Sequence, residues 1–124
     1  WRLRDGEVYA IEPFITNGIG LVEEQNIVAI YAAKKLFKVK GLTSEEMKVF
    51  NYISKEFRTL PFCERWLSVL KLPKERLSEI LMRLCRRGIL RSYPILVEVK
   101  RGYVSQFEET VVLNRGEVIV TTRA

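Results

Sequence analysis

A chain of 124 residues is long enough for one domain, and 48% hydrophobic with 29% charged content marks it as globular rather than disordered. No apolar run approaches the ~18 residues of a membrane helix, and no basic-then-apolar leader argues for secretion. The chain has no histidine, which excludes a Ser-His-Asp or Cys-His centre and any histidine-bearing zinc motif within it.

The formal net charge of +6 is unevenly placed: Lys34 to Arg101 holds 17 Lys and Arg against 7 Asp and Glu, leaving 4 against 8 elsewhere. Such a bias suits an anionic partner, or a solvated basic face. Two cysteines, Cys63 and Cys85, fall in predicted helices and read as small, buried apolar residues. They are too few and too far apart for a metal site.

Residues 7–14 predict a first strand, entered from the turn residue Gly6. Glu12 lies inside its apolar run and is followed by Pro13, which removes a donor and stops the ladder. A carboxylate in such a run must be paired, protonated, bound to metal or turned to solvent from an edge strand. Thr16-Asn17-Gly18-Ile19-Gly20 predicts a turn. Strands are expected over 20–23 and 27–32, around a polar break at Glu24-Gln25-Asn26. Lys34-Lys35 and Lys38-Val39-Lys40-Gly41 make a basic connector.

Thr43-Ser44-Glu45-Glu46 is a capping box, and Met47, Phe50, Ile53 and Phe57 follow at helical spacing as one apolar face. Pro61 suits the first turn of a second helix, with Phe62, Trp66, Leu67 and Leu70 on its buried side. Pro73 opens a third, in which Leu77, Ile80, Leu81, Leu84 and Cys85 keep helical period. Arg86 and Arg87 complement its C-terminal dipole and Gly88 caps it. After Tyr93-Pro94 come strands over 95–100, 103–113 and 117–122, with turns at Arg101-Gly102 and Asn114-Arg115-Gly116. The strand over 103–113 carries the second pair of acids, Glu108 and Glu109.

Three helices and a hairpin with a basic bias also describe a winged helix. In that reading the third helix is the recognition helix, and Lys74, Arg76, Arg83, Arg86 and Arg87 meet phosphates. This nucleic-acid- or ribosome-binding module is the competing function class.

Four motifs occur in order: Ala10-Ile11-Glu12-Pro13-Phe14, Leu60-Pro61-Phe62-Cys63-Glu64-Arg65-Trp66-Leu67, Tyr93-Pro94 and Ser105-Gln106-Phe107-Glu108. In this order, and with a helical stretch between the two acids, they resemble the C-terminal part of a type 2 methionine aminopeptidase, over about residues 6 to 122. The resemblance implies an α+β fold, the C-terminal half of a pita-bread (creatinase/aminopeptidase-like) fold with an inserted three-helix, winged-helix-like subdomain. Residues 1–40 would bring strands and the first metal glutamate, 41–97 the helical insertion, and 98–124 the last strands and the second glutamate.

The implied activity is metal-dependent removal of the initiator methionine from nascent chains in the cytoplasm. It uses two divalent ions drawn from cobalt, manganese, iron or zinc. Glu12 would bind one ion and Glu108 would bridge both. Two aspartates and a histidine are expected upstream of Trp1, so the chain alone is expected to be inactive. Phe14 and Tyr93 would line the methionine pocket. The family usually has histidine after the bridging glutamate; here Glu109 stands there, and strand alternation turns it away from Glu108. The chain is expected to be a fragment, or a processed or split piece, with a natural C-terminal end. Its implied partners are the upstream half, a nascent N-terminus and the ribosome surface, with no membrane and no need for DNA.

Overall fold

The computed structural model describes residues 2–34, 36 and 39–123; Trp1, Lys35, Phe37, Lys38 and Ala124 lie outside them, and with them two lysines of the basic connector. Strands β1 (Val8–Ile11), β2 (Phe14–Thr16) and β3 (Val22–Ala33) lead into helix α1 (Ser44–Glu56). Strand β4 (Phe62–Cys63), a 3-10 helix (Glu64–Leu70) and helix α2 (Lys74–Arg86) follow. Strands β5 (Leu90–Glu98), β6 (Val104–Gln106), β7 (Glu109–Asn114) and β8 (Glu117–Val120) complete the chain. Among the described residues the fold is therefore mixed, with sheets and three helices. It divides into two compact units, Trp1–Glu23 with Val97–Ala124, and Glu24–Leu96. Among the described residues no helix is long and apolar enough to cross a membrane.

The middle unit is built on a buried cluster that joins α1, the 3-10 helix, α2 and the sheet β4-β3-β5. Thr43 caps α1 with both halves of the capping box: its hydroxyl accepts from the Glu46 amide at 3.3 Å, and Glu46 Oε2 accepts from the Thr43 amide at 2.9 Å. Glu46 is almost fully buried, and its other oxygen lies 3.0 Å from Arg83 Nε, which ties α1 to α2. Val49, Phe50 and Ile53 of α1 face Leu77, Ile80, Leu81 and Leu84 of α2 in one core. Gly88, at φ +65°, closes α2 in the left-handed region as expected.

Pro61 does not open a helix. Phe62 enters a short strand paired with β3, opposite Tyr31, and Cys63 pairs with Ile30. Ring packing explains the difference: Phe62 stacks 5.0 Å from Phe57 and 6.1 Å from Tyr31, so its burial is set by the sheet and α1 together. Trp66, expected on a buried helical face, is 49% exposed, and only Leu67 of the 3-10 helix is fully buried.

The polar break at Glu24-Gln25-Asn26 is absent: β3 runs through it as one strand of 12 residues. That run contains no Gly or Pro, so nothing obliges the backbone to turn. Strand β5 likewise begins at Leu90 and passes through Pro94. Proline is tolerated there because β5 is the edge of its sheet.

The terminal unit carries the sheet β1-β7-β8 and the two-stranded ladder β2-β6. The single strand expected over 7–14 is two strands, parted at Glu12-Pro13, and that over 103–113 is two, parted at Phe107-Glu108. We expect Phe62→Ala to destabilise the folded protein by about 3–5 kcal/mol and Trp66→Ala by much less, read from urea unfolding. The reverse ranking would contradict the strand placement of Phe62.

Candidate metal centre

The two breaks face each other. In β1-β7 the last pair is Ile11 with Glu109; in β2-β6 the first is Phe14 with Gln106. The ladders thus share one register, and the intervening Glu12 and Pro13 meet Glu108 and Phe107. Pro13 keeps its half of the pairing, since its carbonyl accepts from the Phe107 amide at 3.2 Å, but it has no N–H to return. Glu12 and Glu108, 96 residues apart, are direct cross-strand neighbours, a relation that sets Cβ atoms about 4.5–5.5 Å apart on one face.

Like charges opposite one another are destabilising. Both carboxylates are exposed, and neither makes a hydrogen bond or ion pair with another described residue. Two unpaired oxygen donors held at this spacing suit a hard or borderline divalent cation, which would turn their repulsion into attraction. Among the described residues no three His, Cys, Asp or Glu side chains converge, so this pair is a partial ligand set.

Glu109 is set apart from the pair. It stands opposite Ile11 and so points to the other face of the strand. There it accepts from the Thr122 hydroxyl and, at 2.8 Å, from Arg123 Nε. The Thr122 hydroxyl and then the Arg123 guanidinium hold its carboxyl below the usual glutamate range.

Phe14 stands two residues beyond Glu12 in β2, with its side chain 62% exposed. Tyr93 belongs to the middle unit. There it lines an open depression of about 290 Å³ with Ala32, Ala33, Lys34, Thr59 and Arg91.

Glu98 is the residue that sequence reasoning passed over. It is 2% exposed, yet it makes no ion pair among the described residues. Its Oε1 accepts from the Ile19 amide at 2.6 Å, and its Oε2 from the amides of Lys100 at 2.7 Å and Gly102 at 2.9 Å. The Gly102 amide, with those of Ile19, Lys100 and Gly20, holds its carboxyl below the usual range against the opposing pull of burial. A Cβ on Gly18 would sit 2.2 Å from Glu98 Cδ, so the glycine is required by contact. The available signal was an acid between Val97 and Val99, with glycines at 18 and 102 in the two flanking turns.

The cations of α2 are largely engaged within the protein. Arg76 holds Glu45 and Glu79, Arg83 reaches Glu46, and Arg87 donates to the Gly41 and Lys40 carbonyls. Of the five proposed phosphate contacts only Lys74 and Arg86 are free of such described partners, which weakens the recognition-helix reading. Cys63 lies in β4 rather than a helix, and both cysteines are free thiols, half-buried; burial pushes the Cys85 thiol up.

No protein-family model matches the chain. It is similar to the methionine aminopeptidase of Saccharolobus solfataricus, 42% identical over 122 residues that make up 98% of this chain and 40% of that protein. The methionine aminopeptidase of Methanocaldococcus jannaschii is 41% identical over 118 residues, 95% of this chain and 38% of its own length. Methionine aminopeptidase 2 of Neurospora crassa is 38% identical over 113 residues, 90% of this chain and 25% of its own. The chain therefore spans about two fifths, or less, of the curated relatives it matches. Among solved structures, that of a thermophilic Arx1 superposes with a TM-score of 0.78 at 17% identity, over 94% of this chain and 30% of that one. This likeness concerns the fold alone and supports the pita-bread class.

Glu98 and Glu109 carry a pH dependence whose sign follows from their lowered pKa values. In this range the unfolded chain, with its glutamates near ~4.3, binds more protons than the folded one, so stability rises with pH. Their contribution is present above the unfolded value and lost as pH falls through the folded one. Urea unfolding of Glu109→Gln against the parent should therefore show a stability gap at pH 7 that narrows by pH 3; a gap that widens on acidification would contradict the assignment.

Proposed function

We propose, from the chain's kinship with a C-terminal part of the type 2 methionine aminopeptidases of archaea and eukaryotes, that it supplies two ligands of a dinuclear peptidase centre. The observation that carries this is the common register of the β1-β7 and β2-β6 ladders, which sets Glu12 opposite Glu108. In this reading Glu12 would hold one divalent ion and Glu108 would be shared between two, with the remaining aspartate and histidine ligands expected from an upstream half. Bound there, the ions supply an activated water and polarise the scissile carbonyl of an N-terminal methionyl peptide.

The chain's own residues do the rest of the positioning. Phe14, on the strand after Glu12, offers apolar surface for the methionine side chain; the same role for Tyr93, in the middle unit, rests on the resemblance alone. Glu109, turned to the opposite face and held by Thr122 and Arg123, leaves the bridging carboxylate uncontested.

An upstream half is also favoured by what the terminal unit leaves uncovered. Val8 and Phe14 on one face, and Ile15, Phe107 and Val118 on the other, are each at least 60% exposed, so apolar side chains of the terminal unit are left uncovered. The middle unit, Glu24–Leu96, sets its helices against a three-stranded sheet and suits a winged-helix-like subdomain whose helical part falls in the insertion expected over 41–97, with its central strand β3 contributed from before it. The surplus of cations from Lys34 to Arg101 suits an anionic docking surface such as that of the cytoplasmic ribosome.

In the complete enzyme, Glu108→Ala should reduce metal-dependent turnover of a methionyl peptide by more than about 100-fold, since even outer-shell changes cost 10- to 100-fold. Glu109→Gln should keep most of it. Wild-type turnover in Glu108→Ala would overturn the assignment, and the 124-residue chain alone should show none.

A further inference from the structure

We propose that Glu98 is the positioning residue of the Glu12–Glu108 pair: through backbone amides in the turns that flank β2 and β6, its carboxylate locks the register that sets the two metal-facing carboxylates opposite each other. The proposal rests on the metal-centre reading above and adds to it a residue outside the ligand set.

The weak point of the site is the ladder beyond it. β2-β6 has three residue pairs and is separated from β1-β7 by Pro13, which cannot donate. A short two-stranded ladder holds its register poorly by itself. A slip of one residue would turn every side chain to the opposite face and bring Glu12 opposite Phe107 or Glu109 instead of Glu108.

Something must fix the far end, and Glu98 is built into it. The strand β2 continues into Asn17–Gly20, and β6 is entered from Lys100–Tyr103. One carboxylate accepts amides from both segments, Ile19 on the first and Lys100 and Gly102 on the second. Asn17 Oδ1 adds a bond from the Tyr103 amide at 2.8 Å, and Thr16 Oγ1 one from Gly18 at 3.0 Å. The two turns approach closely: a Cβ on Gly102 would lie 2.6 Å from the Gly18 nitrogen. The β2-β6 pairing is thus pinned where Pro13 cannot pin it.

The chemistry of the carboxylate matters. Its two oxygens accept from the Ile19, Lys100 and Gly102 amides, whose N–H groups favour the charged form. Glutamine keeps the size but turns an NH2 donor toward amide donors. Aspartate keeps the charge and recovers part of the contacts if the turns close slightly.

The test uses the complete enzyme, with Glu98→Gln, Glu98→Asp and, as a control for stability alone, Leu84→Ala in the core of the middle unit. Manganese(II) affinity is measured by calorimetry where each variant is folded, alongside amide hydrogen exchange at Ile15 and Phe107. We expect Glu98→Gln to weaken manganese binding by about 10- to 100-fold and to lose exchange protection across β2-β6. Glu98→Asp should lie between it and the parent, and Leu84→Ala should lower the melting temperature with manganese affinity unchanged. Parent-like affinity and protection in folded Glu98→Gln would overturn the proposal, as would an equal loss in Leu84→Ala. If Glu98→Gln does not fold, Glu98→Asp carries the same comparison, and parent-like affinity and protection in it with unfolded Glu98→Gln would assign Glu98 to stability alone. Should the parent bind no manganese, or Glu108→Ala bind it unchanged, the metal-centre reading fails; the exchange arm still reports whether Glu98 holds the register.

Discussion

One antiparallel register organises the terminal unit. Val8 to Thr16 runs against Val104 to Val112 without a change of phase, although the hydrogen bonding lapses at Pro13. Because side chains alternate with period two, that phase alone decides which residues share a face. It gathers Glu12 and Glu108 and sends Glu109 away. It is held at both ends. At one, the Leu113 carbonyl accepts from the Gly6 amide, the Leu113 amide donates to the Glu7 carbonyl, and the Asp5 carboxylate accepts from the Gly116 amide; at the other stands the Glu98 carboxylate among its amides. The interruption falls between these anchors, where two carboxylates need freedom from the ladder and yet a fixed spacing.

Environment differentiates glutamates that composition treats alike. Glu46 is buried, capping one helix and pairing with an arginine of the next. Glu98 is buried and neutralised by backbone dipoles rather than by a cation. Glu109 is half-buried and held by a hydroxyl and a guanidinium. Glu12 and Glu108 have none of these partners among the described residues, which sets the pair apart from the other three. An opposed pair of carboxylates repels across the strands, and a bound cation would relieve that repulsion.

Much of this was legible from residues with strong local chemistry. The capping box at Thr43, the helical stripe from Leu77 to Leu84 and the Gly88 cap each act within a few residues, and the structure keeps all three. The acid at Glu12 before Pro13 was legible as a strand end. Expectations failed where distant packing prevailed. Phe62 is drawn into a strand by Tyr31 and Phe57 despite the helical signal of Pro61. Pro94 is absorbed by an edge strand, and Glu24 to Asn26 stay extended because no glycine or proline releases them. Glu98 was not legible because its partners are backbone amides in turns 79 residues distant in one case, and backbone donors leave no mark on residue type.

The measurement that bears most directly on this account is anomalous diffraction from manganese-soaked crystals of the complete enzyme. The account predicts two manganese peaks, both coordinated by the Glu108 carboxylate and one of them also by Glu12. Peaks that leave both glutamates uncoordinated, or a single ion bound by neither, would contradict it.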